Sequence, residues 1–111
     1  MKVNILGTEW TISECSAEED KVLEMRDVDG YCDKTTKRIV IIKKPDVSDL
    51  GNWDVYRKKV LRHEIIHAFL FESGLHENCS HPAWGHDEAM IDWVAVQFHK
   101  LQQAFKEADC L

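Results

Sequence analysis

From Trp53 to Ser73 the chain carries neither glycine nor proline, the two residues that most readily interrupt a helix. The apolar positions in this stretch fit a helix of about 20 residues, closed by Gly74. In a chain of 111 residues an element of that length sets the frame, and there is room for one compact domain spanning residues 1–111.

Ahead of that helix the apolar period is two. Val3, Ile5, Trp10 and Ile12 alternate with polar residues around Gly7-Thr8, which predicts a hairpin. Ser16-Ala17-Glu18-Glu19 resembles a capping box opening a short helix toward Leu23 and Met25. Asp29-Gly30 signals a turn before a short strand at Tyr31-Cys32-Asp33. Lys34 to Lys37 then turns the chain into Arg38-Ile39-Val40-Ile41-Ile42, the strongest strand pattern in the sequence. Pro45 and Gly51 punctuate the next loop. Beyond Gly74, residues Leu75 to Gly85 read as a polar loop. A second helix is expected from about His86 to Glu107, with Asp87 and Glu88 in its first turn, where acids suit the helix dipole. Strands followed by two long helices define an α+β class.

Charge and apolar content narrow the partners. The net charge of −6 argues against nucleic acid, which selects a clustered basic surface. The basic residues Arg57, Lys58, Lys59 and Arg62 fan around a helix and read as a solvated flank. No apolar run reaches the 18 or so residues of a membrane span, and the opening Met1-Lys2-Val3-Asn4 is too soon polar for a secretory signal. A cytoplasmic location is expected, with no membrane partner. Cys15, Cys32, Cys79 and Cys110 form no C-x-x-C pair and are expected as free thiols.

Chemistry concentrates inside the long helix, at His63-Glu64-Ile65-Ile66-His67. Residues four apart share a helix face, so both imidazoles can reach one Zn²⁺, with Glu64 beside them as a general base. Composition alone yields this pattern in roughly 3% of shuffled chains, so its setting in a helix matters as much as its letters. A catalytic zinc takes three protein ligands and keeps a position for water. The metzincin arrangement is excluded, because Leu70 and Ser73 stand where it needs Gly and His. Glu88 is the candidate third ligand. Asp92, one turn on, is placed to accept the other N–H of His63 and fix its ring.

The segment Asp87-Glu88-Ala89-Met90-Ile91-Asp92 is similar to the Asn-Glu-Ala-x-x-Asp stretch on the glutamate helix of thermolysin-like gluzincin metallopeptidases. The resemblance covers roughly residues 53 to 98, and in size the chain looks like the minigluzincins and the small H-E-x-x-H proteins of phages and prophages. It resembles the ImmA/IrrE group more loosely. That likeness implies a zincin-like fold, with short N-terminal antiparallel strands before an active-site helix and a glutamate helix. It implies His63, His67 and Glu88 as ligands, Glu64 as base, Asp92 behind the histidines, and a peptide or protein substrate.

The family's oxyanion donors come from a subdomain this chain lacks. Tyr31, His76, His81 and His86 are the candidate replacements for that role or for substrate contact. His76, Cys79, His81 and His86 match no standard zinc-finger spacing and read as solvated loop residues. Trp53, Trp84, Trp93, Phe69, Phe71 and Phe98 are expected to pack the core or the helices, and His99 to lie at the surface. The strand from Arg38 to Lys43 is the expected edge for holding an extended peptide. An alternative of another class is a zinc-stabilised binding or regulatory domain with little catalysis.

Overall fold

The alternating segments form a mixed four-stranded sheet. A computed structural model describes residues 1–78 and 88–111, less the side chains of Asn78, Glu88, Ile91, Asp92 and Ala95. Strands β1 (Lys2–Ile5), β2 (Thr8–Cys15), β3 (Gly30–Asp33) and β4 (Arg38–Ile42) are ordered β1-β2-β4-β3. β1 and β2 make the expected hairpin, Val3 opposite Trp10. β2 runs parallel to β4, and β3 is antiparallel to it. The helices are α1 (Lys21–Arg26), α2 (Trp53–Ser73) and α3 (Glu88–Glu107), with a 3₁₀ turn at Leu75–Asn78. The α+β class stands, but the strands expected to be antiparallel form a mixed sheet, because β2 and β4 pair in parallel.

One sheet face carries Val3, Ile5, Trp10, Ile12, Ile39 and Ile41. It packs on Leu61, Ile65, Ala68 and Phe69 of α2 and on Leu101 and Ala104 of α3. Val40 lies between Ile39 and Ile41, so strand alternation turns it to the other face, where it is equally buried.

Helix ends follow their capping residues. The Asn52 side chain accepts from the Val55 amide, and Gly74 closes α2 at φ 81, a left-handed conformation open to glycine at little cost.

Four further expectations need correction. Ser16 and Glu19 do bond reciprocally, but α1 starts later, because Asp20 accepts from the Val22 and Leu23 amides and is the true N-cap. The strand at Arg38 is not an edge, since β2 and β3 flank it on both sides. A continuous apolar run such as Ile39-Val40-Ile41 suits burial on two faces, which only an interior strand receives. Phe98 is 53% exposed, on the outward side of α3. The basic residues of α2 are largely engaged: Arg57 pairs with Glu14, Lys58 with Asp54, and Arg62 donates to the Cys110 carbonyl.

Candidate metal and catalytic site

The α2 helix places His63 and His67 one turn apart, and their rings approach. The two Nε2 atoms lie 3.1 Å apart, with ring centroids at 4.8 Å and planes inclined by 69°. Two nitrogens each about 2.0–2.1 Å from one tetrahedral zinc sit roughly 3.3 Å from each other, so the pair fits that ion. Desolvation holds the His67 pKa below its ordinary value, helped by the neighbouring His63 and His76. A depressed pKa keeps this imidazole neutral, with a nitrogen lone pair free to bind metal.

Between the histidines in sequence, Glu64 turns inward and is only 6% exposed. Its seat is built by β3. A Cβ added to Gly30 would stand 3.0 Å from Val60 Cγ1 and 3.1 Å from both Glu64 Cγ and Oε1, so any larger residue would make these side chains give by a few tenths of an ångström. Cys32 Sγ stands 3.0 Å from the Glu64 carbonyl and 3.6 Å from its Oε2, donating to both. Burial pushes the Glu64 pKa up, opposed by His63, the Cys32 thiol and Arg26. Burial and the Glu64 carboxylate push the Cys32 thiol up as well, which makes it a proton donor rather than a nucleophile. Sequence reasoning missed Gly30 and Cys32 as site residues. The Asp29-Gly30 turn signal marked the position, and its relation to Glu64 is a tertiary contact.

A cleft follows this line of residues. One arm, about 240 Å³, is lined by Arg26, Tyr31, Cys32, Phe71 and His67. The other, about 210 Å³, is lined by Asp29, Tyr56 and Lys59. Val28, Gly30, His63 and Glu64 border both arms. The cleft thus runs between α2 and β3, the true edge strand on this side of the sheet. A larger cavity of about 550 Å³ lies elsewhere, against Leu6, Phe69, His99 and Gln103. It has no part of the motif, so size does not locate the chemistry.

The remaining candidates divide. Tyr31 donates its hydroxyl to Asp20 at 2.8 Å, and burial with that bond raises its pKa to about 12. Its neighbours Gly30 and Cys32 both meet α2, so alternation turns the Tyr31 ring to the opposite sheet face. Tyr31 nonetheless borders the His67 arm of the cleft, with its hydroxyl engaged by Asp20. His76 packs edge-on against Phe71 at 4.5 Å, and Phe71 stacks on His67 at 6.5 Å, which puts His76 beside the site. His81, His86, Cys79, Trp84 and Asp87 lie outside the described residues. So do the side chains of Glu88 and Asp92, although α3 opens at Glu88 and packs on α2 through Trp93 and Phe69. Among the described residues no group of three or more His, Cys, Asp or Glu is arranged to hold a metal. Cys15, Cys32 and Cys110 are free thiols. Among the described residues no helix is long and apolar enough to cross a membrane. No known family, curated protein or solved structure matches this chain.

Proposed function

We propose that this chain is a zinc-dependent metallopeptidase of zincin-like architecture. The observation that carries the reading is the 3.1 Å approach of the His63 and His67 Nε2 atoms above a buried Glu64 in a common cleft. Glu88, the first residue of α3, is the proposed third ligand, and Asp92 the carboxylate that orients His63. When bound, zinc supplies Lewis acidity and makes water easier to deprotonate. Glu64 takes the proton of the attacking water on its carboxylate and hands it to the leaving amine. Its raised pKa suits the first transfer, because a stronger base takes the proton of the water more readily. Gly30 and Cys32 hold the carboxylate in place during both transfers. The extended substrate lies along β3 by strand addition.

Glu64→Gln should keep the metal and lose turnover of an unfolded protein substrate by at least roughly 100-fold, the lower range for a general base. His67→Ala and Glu88→Ala should lose the metal itself. Metal content measured beside cleavage checks both at once. Full activity in purified Glu64→Gln would sink the general-base assignment.

One observation favours a second reading, a zinc-stabilised binding domain with little catalysis. Tyr31 borders the cleft with its hydroxyl committed to Asp20, and His76 is the other candidate oxyanion donor beside the site among the described residues. A wild type that holds stoichiometric zinc, binds unfolded peptide and cleaves none decides for that reading.

A further inference from the structure

The two arms of the cleft differ in charge. Lys59 and Asp29 both line the arm near Tyr56, where positive and negative groups offset each other. The arm near His67 has Arg26 on its wall, and among the described residues its only acid is the buried Glu64. Arg26 ends α1 and is exposed. Among the described residues no carboxylate lies within 4 Å of its guanidinium. A last-turn arginine suits the helix dipole, which explains why the charge is tolerated there but not why it lines the cleft. In a chain of net charge −6, a cation there focuses a local field on whatever enters.

We propose that Arg26 forms a carboxylate-binding subsite in the His67 arm of the cleft, so that the preferred peptide carries a carboxylate at the position lying there. Guanidinium is suited to this task, since its planar fork matches a carboxylate with two parallel hydrogen bonds. The carboxylate comes either from an acidic side chain or from a free C-terminus. The subsite rests on the reading that a peptide occupies this cleft.

The test measures binding of labelled short-peptide pools to full-length Glu64→Gln protein loaded with zinc, so that nothing is consumed. The first pool is neutral and C-terminally amidated. A second adds an internal glutamate, and a third replaces the amide with a free carboxylate. One carboxylate pool should bind about tenfold tighter than the neutral pool, as a charged hydrogen-bonded contact provides. Which of the two does so identifies the source. Arg26→Ala in the same background should bring that ratio to about one, and Arg26→Glu should turn the preference toward a lysine pool. Absent binding, equal binding of all pools, or a preference that survives Arg26→Ala overturns the subsite. Metal content and wild-type cleavage are read separately. A protein without zinc or cleavage but with Arg26-dependent selection loses the peptidase reading and keeps the subsite.

Discussion

Gly30 shows how one missing methyl group makes room for the base. A Cβ there would meet Val60 Cγ1 at 3.0 Å and Glu64 Oε1 at 3.1 Å, so Gly30→Ala forces α2 side chains to give by a few tenths of an ångström. The Glu64 carboxylate is the softer neighbour and is expected to move. Overpacking costs about 1–3 kcal/mol, and a base displaced by a fraction of an ångström costs roughly tenfold or more in turnover. Urea unfolding and kcat/KM of Gly30→Ala, read together, check this. Unchanged kcat/KM would show that the carboxylate does not need its seat. The histidines and Glu64 were legible in the sequence because a helix turns fixed spacing into fixed proximity. Gly30 and Cys32 were not, because their partner lies more than 30 residues away and no spacing rule spans that gap.

At the level of elements, α2 was readable from end to end because its limits are chemical. The Asn52 side chain takes the Val55 amide at 3.2 Å, and Gly74 turns left-handed after Ser73. Asn52→Ala should therefore cost about 1 kcal/mol. The proposed metal pair, His63 and His67, lies three turns away and should be unaffected, so zinc affinity of the folded protein is the control. A drop in zinc affinity would mean that the helix start and the site are coupled. Sheet order was less legible. The hairpin followed from local turn chemistry, whereas the place of β4 between β2 and β3 depends on a parallel crossover through α1. Its unbroken Ile39-Val40-Ile41 run held the clue, since an edge strand with one solvated face would alternate. The strand beside the cleft is consequently β3, four residues long.

Across the whole molecule, α2 carries two carboxylates with opposite effects on stability. Glu64 has its pKa raised by burial, so its ionised form is penalised in the fold and acidification relieves the strain. Glu72 lies two turns further on, with its side chain 13% exposed. Burial alone would raise its pKa, but Lys37, Trp10 and Thr8 outweigh it and hold the carboxyl below the ordinary 4.5. Lys37 Nζ lies at 2.7 Å, Trp10 Nε1 donates at 2.9 Å and Thr8 Oγ1 at 3.2 Å. One side chain thus fastens α2 to β2 and to the β3–β4 turn. For a depressed carboxylate the stabilisation is fully present above about 4.5 and fades as pH falls through the folded value. Glu72→Gln keeps an acceptor for the buried Trp10 and loses the charge, for a cost of about 1–2 kcal/mol at neutral pH. Glu72→Ala also strands the indole N–H and should cost about 3 kcal/mol. The deficit of Glu72→Gln relative to wild type should shrink in unfolding measurements as the pH falls below about 4.5. Glu64 is present in both proteins, so its contribution cancels from that difference. A deficit that stays constant across the acid range would mean that Glu72 acts through packing alone, leaving the sheet and α2 without this charged tie.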